Sequence, residues 1–383
     1  MNYKEQLSLL LAQASGLDAD KLASLLEVPP DMDMGDFALP CFKLARELRK
    51  APPAIAQQLL DSLGELPTWI DRAELAGGYL NFFLSRPQFV GATLGEVAAK
   101  QERYGSSDEG AGRNIVLDYS SINIAKPFHI GHLSTTVIGS SLYKIFNFLG
   151  FHSVGVNHLG DWGTQFGKLI SAYKRWGDRD TVEQGSIRAL LALYVRFHEE
   201  AERDPSLEEE GRAWFKKIED GDEEALSLFS WFKELTLREV SKIYDILDVH
   251  FDSYAGESFY NDKMQPVIDE LEAKGLLEDS NGAKVVNLDA YNMPPCLILK
   301  SDGATLYATR DLAAAFYRKK TYDFDKCIYV TSAGQSLHFR QWFKVVELMG
   351  YDWAKDLVHV PYGTVSINGS KLSTRAGNVV ILK

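Results

Sequence analysis

A short, largely apolar run at residues 114–119, a turn reading Phe128-His129-Ile130-Gly131-His132-Leu133, a helix-period stretch over about 131–149 and a further short segment at 153–158 follow one another in order. The first of these suits a buried strand, and the last would be the strand that follows the helix. The spacing of Val137, Leu142, Ile145, Phe146 and Leu149 predicts that these residues form the inward side of the helix between them. Strand, turn, helix, strand is the opening of a doubly wound α/β fold with a parallel, Rossmann-like sheet. Sheet-like segments return at 296–300, 327–331 and 358–367, separated by helices at 309–319 and 337–349.

The flanking sequence has a different character. Residues 1–110 read as a separate small α/β domain, punctuated at Pro29-Pro30, Pro52-Pro53 and Gly77-Gly78, with 102–112 as the linker. Within it we expect a helix over 2–27, a second from Asp36 to about Lys50, a third over 54–63 and a strand over 77–84. On the second helix Lys43, Arg46 and Lys50 would share one face, either meeting phosphates or simply facing solvent. The catalytic-type domain would then occupy 111–383, with a mainly helical insertion at about 181–295 that is strongly charged and carries the exposed run Glu208-Glu209-Glu210.

Composition narrows the function classes. The formal net charge of -12 argues against indiscriminate nucleic-acid binding, although a local basic patch could still hold RNA. No stretch approaches the ~20 apolar residues of a membrane span. Cys41, Cys296 and Cys327 are far apart and unpaired in pattern, so buried thiols are expected, with neither a disulfide framework nor a metal site.

A strand turning sharply into a helix presents free backbone N–H groups and the positive end of the helix dipole, which favour phosphate. His129 and His132 flank that point, where imidazoles can donate to a phosphate as charge builds, and Gly131 leaves room for a flat ring against the backbone. By spacing alone the two histidines could equally be a chance pair or metal ligands. Lys371-Leu372-Ser373-Thr374-Arg375, after Gly369-Ser370, supplies cations suited to a leaving pyrophosphate; alone it could be an ordinary basic loop.

Taken together, these two segments resemble the H-x-G-H and K-M-S-K-S motifs of class I aminoacyl-tRNA synthetases. The stretches Asp118-Tyr119-Ser120-Ser121-Ile122-Asn123-Ile124-Ala125-Lys126-Pro127 and Leu159-Gly160-Asp161-Trp162-Gly163-Thr164-Gln165 are similar to the arginyl-tRNA synthetase family in particular. The resemblance covers nearly the whole chain and implies an ATP-dependent arginine–tRNA ligase with arginine tRNA, L-arginine and Mg²⁺-bound ATP as its partners; a monomer is expected, and a cytoplasmic home, since the N-terminus lacks the basic-then-apolar order of a signal peptide. It implies ATP binding by His129, Gly131, His132, Lys371, Ser373 and Arg375, and arginine binding by Asp118, Asn123, His129, Tyr307, Asp311 and Gln335. Asn123, Gln335 and His129 would take the backbone groups of the amino acid, and Tyr307 and Asp311 its guanidinium. Lys126, His129, His132 and Lys371 would serve catalysis, Lys126 replacing the second lysine of the late motif, where Thr374 and Arg375 stand instead. Ile122 and Ser134 also depart from residues common in the family. Lys43, Arg46 and Lys50 would contact tRNA.

Only eight residues follow Arg375. A truncated chain is therefore expected, lacking the family's C-terminal anticodon-binding domain and impaired in charging. Two other readings stay open: a different nucleotidyl-transferring enzyme with the same turn, and a catalytically silent RNA-binding fragment.

Overall fold

The computed structural model describes residues 2–301, 303–363, 366–367 and 370–371, the last two pairs as backbone only. The chain divides into two compact units, Met1–Gly105 and Ser106–Lys383.

In the first unit, helices α1 (Tyr3–Ser15) and α2 (Ala19–Leu25) precede strand β1 (Phe37–Pro40), followed by α3 (Ala45–Leu48), α4 (Pro52–Leu63), β2 (Ile70–Ala76), β3 (Tyr79–Leu84) and α5 (Arg86–Lys100). The strands form an antiparallel sheet in the order β1-β3-β2, and Leu7, Leu11, Leu22, Leu39, Leu59, Leu80 and Phe82 fill the core. Two expected helices differ from those observed. The stretch 2–27 is split because Gly16 adopts a left-handed conformation, φ 73°, and caps α1. Residues 36–50 make an edge strand, a 3-10 turn and one short helix, so Lys43, Arg46 and Lys50 do not lie on a single helix face. Lys43 pairs with Glu27 at 2.5 Å and Lys50 with Gln58 at 2.5 Å.

The second unit runs β4 (Asn114–Asp118), α6 (Ile130–Phe148), β5 (His152–Val156), α7 (Thr164–Trp176), α8 (Arg179–Ala201), α9 (Ser206–Glu219), α10 (Glu223–Leu247), α11 (Met264–Ala273), β6 (Leu277–Ser280), β7 (Ala283–Val286), β8 (Cys296–Leu299), α12 (Tyr307–Tyr322), β9 (Lys326–Ser332), α13 (Ser336–Leu348) and β10 (Leu357–Tyr362). A hairpin of β11 (Ser366–Ile367) and β12 (Ser370–Lys371) follows. Strands β10-β9-β4-β5 form a wholly parallel sheet. Its two faces are both covered, as a parallel sheet requires. Ile115 and Leu117 of β4 with Ile328 and Val330 of β9 pack with the helices α7 to α10, whereas Val116, Cys327 and Tyr329 pack with α11, α12 and α13.

Three local expectations are corrected. The buried residues of α6 are Thr135, Thr136, Gly139 and Ser140; of the residues expected inward, Leu142 and Phe146 pack partly buried against the core, while Val137 and Ile145 are exposed. The reason is close approach: a Cβ on Gly139 would lie 2.2 Å from the Tyr119 ring, so only a small-residue face fits against the end of β4. Segment 296–300 joins a separate antiparallel sheet, β6-β7-β8. Leu297 points outward while Cys296 and Ile298 are buried, the alternation of a strand with one wet face. The acidic run of α9 is largely paired: Glu208 meets Lys168 at 2.8 Å, and Glu210 meets Arg175 and Ser171 on α7. All three cysteines are buried, and burial pushes the thiols of Cys41 and Cys327 up to about 11 and that of Cys296 to about 12.

Candidate active site

In this sheet β5 lies on one side of β4, and β9 and β10 lie on the other. Crevices at the carboxyl ends of strands open at such a reversal of strand order. A cleft of about 450 Å³ lies there, lined by Asp118 from β4, Tyr329 and Thr331 from β9, Tyr307 and Asp311 from α12, Gln335 and His338 from the start of α13, and Asn123, Gly160 and Glu257 from loops. Five of the residues singled out in the sequence, Asp118, Asn123, Tyr307, Asp311 and Gln335, thus meet in one wall-to-wall site although they are spread over more than half the chain.

The loop that carries Asn123 is unusual. Ser120, Ser121 and Ala125 all adopt positive φ (69°, 46° and 60°), a conformation that costs side-chain-bearing residues energy and persists only when neighbours enforce it. The enforcement is visible. The Ala125 N–H donates to Thr236 Oγ1 at 3.0 Å, Ser120 Oγ and Tyr244 Oη share a 2.7 Å hydrogen bond, and Thr136 Oγ1 donates to Ser120 Oγ at 2.8 Å. Thr236 and Tyr244 belong to α10, so the helical insertion clamps this loop. On its other side Asn123 bridges Gly160, where a Cβ would come within 2.4 Å of Asn123 Oδ1. The neighbouring Asp161 is fully buried and accepts from Lys233 Nζ at 2.7 Å and from the Ser258 hydroxyl and N–H at 2.9 Å.

Asp118 is a wall residue whose oxygens are already engaged. Buried Arg318 donates to Oδ2 at 2.7 Å and Ser121 Oγ to Oδ1 at 2.8 Å. Asp311, which also lines the cleft, has its Oδ2 2.6 Å from His338 Nε2. Tyr307 is 70% exposed, so its ring is available to a ligand. Glu257 faces the same cleft; burial above all, with Asp161 and Asp311 adding to it, raises its carboxyl to about 7 against the pull of Arg310.

His129 and His132 sit apart from this lining, at the N-terminal end of α6, where they form a reciprocal cap. Nδ1 of His129 accepts from the Gly131 N–H at 3.1 Å, and Nδ1 of His132 from the His129 N–H at 3.3 Å, with the rings stacked at 3.8 Å. Burial, followed by the charges of His129 and Lys126, holds His132 down at about 3, and burial also lowers His129. Both rings are therefore neutral near pH 7, and because Nδ1 accepts in each, the proton is assigned to Nε2. Each imidazole presents an Nε2–H donor beside the helix dipole. A Cβ on Gly131 would approach His129 Cε1 to 2.9 Å, so the glycine is required by its neighbour as well as by any ligand. Lys126 lies in the clamped loop and lines a small recess that Gln165 and Tyr194 also line. Lys371 is in β12, paired with Ser366, and nothing further is described of it; Ser373 and Arg375 lie outside the described residues.

Comparison with known proteins places the chain in a family. Residues 93–383 match the family of class I tRNA synthetases (R), catalytic domain, and residues 1–84 match the arginyl tRNA synthetase N terminal domain. The chain is 56% identical over 383 residues to the arginine–tRNA ligase of Alkaliphilus metalliredigens, covering 68% of it, and 55% identical to that of Clostridium perfringens, covering 67%. The chain belongs to the arginyl-tRNA synthetases. Solved structures agree on the fold: the Thermus thermophilus arginyl-tRNA synthetase superposes with a TM-score of 0.73 over 98% of this chain and 68% of that one, at 23% identity. The Plasmodium falciparum enzyme gives 0.72 over 95% and 66%, at 24% identity. This synthetase thus spans about two thirds of the length of those relatives.

Within the synthetase, several cleft residues escaped the sequence reading: Ser121, His158, Glu257, Thr331 and His338. Only His338 carried a usable signal, standing one helical turn after Gln335 at the start of α13. Glu257 is separated from Asp311 by 54 positions of ordinary-looking sequence, and nothing local marks it. His129, expected in the arginine site, is not among the residues lining the cleft.

Proposed function

We propose that the cleft at the ends of β4 and β9 binds L-arginine and that the His129–His132 cap receives ATP, so that the second unit activates arginine. The supporting observation is the meeting of Tyr307, Asp311, Asn123 and Gln335 around one cavity of about 450 Å³, within the usual range for a small-molecule site. Asp311 takes the guanidinium through two parallel N–H bonds, a geometry that a lysine ammonium does not reproduce, with the Tyr307 ring beside it. Asn123 and Gln335 hold the α-ammonium and α-carboxylate. Asp118, saturated by Arg318 and Ser121, contributes its field and shapes the wall.

In the reaction a carboxylate oxygen of arginine attacks the α-phosphorus of ATP, and the bond to the β-phosphate oxygen breaks to release pyrophosphate. The Nε2–H groups of His129 and His132 stabilise the charge on the α-phosphoryl oxygens, most strongly in the transition state. Lys126, Lys371, Ser373 and Arg375 neutralise the departing pyrophosphate, with Mg²⁺ entering as part of the ATP complex. A hydroxyl of the 3'-terminal ribose of arginine tRNA then attacks the arginyl carbonyl, and AMP leaves.

The domain roles follow the same reading. The first unit, including Lys43, Arg46 and Lys50, contacts tRNA; residues 111–383 form the catalytic domain, with the segment at about 181–295 as its insertion. The protein works as a monomer in the cytoplasm. Among the described residues no helix is long and apolar enough to cross a membrane. The deciding experiment is arginine-dependent ATP–pyrophosphate exchange with arginine tRNA present, repeated with glutamate, cysteine and lysine. Exchange with another amino acid and none with arginine would overturn the assignment.

A further inference from the structure

Asp118 and Asp311 both line the cleft, but they are held differently. Both oxygens of Asp118 are taken, one by Arg318 at 2.7 Å and the other by Ser121 at 2.8 Å. The Asp311 side chain is 26% exposed, and its hydrogen-bond partner among the described residues is His338, with Nε2 at 2.6 Å from Oδ2. An ionised carboxylate only accepts, so the shared proton belongs to the imidazole. Such a carboxylate has about four acceptor directions, and with one used Asp311 keeps room for two parallel N–H bonds.

The two side chains stand on different helices, and both helices are anchored. On α12, Thr309 Oγ1 donates to Ile298 O at 2.5 Å, and Leu312, Ala313 and Ala315 are buried. On α13, Phe339 is 5% exposed, and its ring stacks on His359 of β10 with centroids 4.4 Å and planes 13° apart. His359 Nε2 is in turn 2.8 Å from Thr331 Oγ1 on β9. His338 is therefore carried by backbone tied to two strands of the sheet, whereas the Asp311 carboxylate without it would be a partly wet side chain free to turn. We propose, on the basis of the arginine-binding reading above, that His338 is a positioning residue: it holds the Asp311 carboxylate in the orientation that offers a planar guanidinium two parallel bonds, and through Asp311 it sets the affinity for arginine.

The effect has a defined place in the reaction. Bidentate pairing needs both carboxylate oxygens in the plane of the guanidinium, so a carboxylate that turns loses more than a contact to a point charge would. The His129–His132 cap is not part of the cleft lining that His338 shares with Asp311. Loss of the imidazole therefore weakens the amino acid in ground state and transition state alike, which raises KM for arginine and leaves kcat in place. A glutamine at 338 keeps an amide N–H donor at about the reach of the imidazole Nε2, and an alanine does not.

Arginine-dependent ATP–pyrophosphate exchange with arginine tRNA present, run on the full chain, His338→Ala and His338→Gln, tests this. The alanine variant should raise KM for arginine by on the order of 10-fold, with kcat and KM for ATP within about twofold of wild type. The glutamine variant should bring KM for arginine back to within about threefold of wild type. Equal damage to arginine KM, ATP KM and kcat overturns the inference, since it marks a disturbance of α13 as a whole. An arginine KM as high in His338→Gln as in His338→Ala overturns it too, and so does a wild-type KM in His338→Ala. Urea unfolding accompanies the kinetics, and if His338→Ala does not fold, His338→Leu, which fills the space without a donor, takes its place with the same expected values. A wild-type chain without arginine-dependent exchange defeats the arginine-binding reading itself; exchange in the wild type with unchanged variants defeats only the role given to His338.

Discussion

The guanidinium of Arg318, 1% exposed, donates to Asp118 at 2.7 Å across 200 residues of sequence, joining the last residue of β4 to the interior of α12. A buried pair of this kind gives little net stability over apolar neighbours, yet losing one partner strands the other charge. Arg318→Met should therefore destabilise the second unit by ~3–5 kcal/mol in urea titration. The companion change Asp118→Asn should weaken arginine binding through the altered field of the cleft. Full stability in Arg318→Met would show that Asp118 finds water or another donor.

The His132 ring gives a pH test with a definite sign. Its folded-state pKa is about 3, below the ordinary 6.5, so the unfolded chain binds the proton more readily. Its contribution is intact above 6.5 and is lost as pH falls from 6.5 towards 3, by at most ~1.4 kcal/mol per pH unit. Glu257 acts oppositely: raised from 4.5 to about 7, it contributes fully below 4.5 and loses that contribution as pH rises to 7. Between 4.5 and 6.5 the two offset each other, which hides both in the wild type. The difference between His132→Gln and wild type isolates the histidine, and the variant should gain relative stability as pH drops from 6.5 to 4. A difference that stays flat with pH would mean that His132 titrates alike in both states.

Gly131 separates two roles. Its Cβ position collides with His129 at 2.9 Å, so Gly131→Ala must turn the His129 ring. ATP binding should weaken by on the order of 10-fold, ~1.4 kcal/mol, while arginine binding alone stays near wild type. Equal losses for both ligands would place His129 in the amino-acid site after all.

The clamp on the strained loop is testable from the insertion. Thr236→Val keeps the shape but removes the acceptor for the buried Ala125 N–H, at a cost of ~1–3 kcal/mol. Arginine binding should fall, since Asn123 loses its support, and Thr236→Ser should restore it. A valine variant with normal binding would mean that the Ser120 contacts to Tyr244 and Thr136, with Gly160, position the loop without Thr236.

How much of this was legible beforehand differs element by element. Strand β4, the cap at His129 and helices α12 and α13 could be read because their signals are local: apolar runs, a turn, a period. The inward face of α6 was legible only in part, at Leu142 and Phe146, because periodicity marks apolar residues, whereas the packing against Tyr119 demanded a glycine at 139. Strand β8 read as part of the main sheet because four apolar-rich residues do not reveal their partner. The basic stripe of Lys43, Arg46 and Lys50 failed as a helix face because Lys43 lies in a 3-10 turn and the α-helix covers only Ala45–Leu48, ended by the left-handed Arg49 (φ 52°) before Lys50.

The sequence by itself determined the family and singled out the turn at His129–His132 and Asn123, Tyr307, Asp311 and Gln335 as candidates, because these reside in contiguous motifs. Only the tertiary structure decided that Asp118 is already spent on Arg318, that His338 holds Asp311, that Glu257 completes the acidic lining, and that α10 clamps the Ser120–Ala125 loop. Those relationships join residues from 27 to 200 positions apart. Ion pairs and desolvation act over a few ångströms in space, and no one-dimensional pattern records which distant side chains the fold brings within that range.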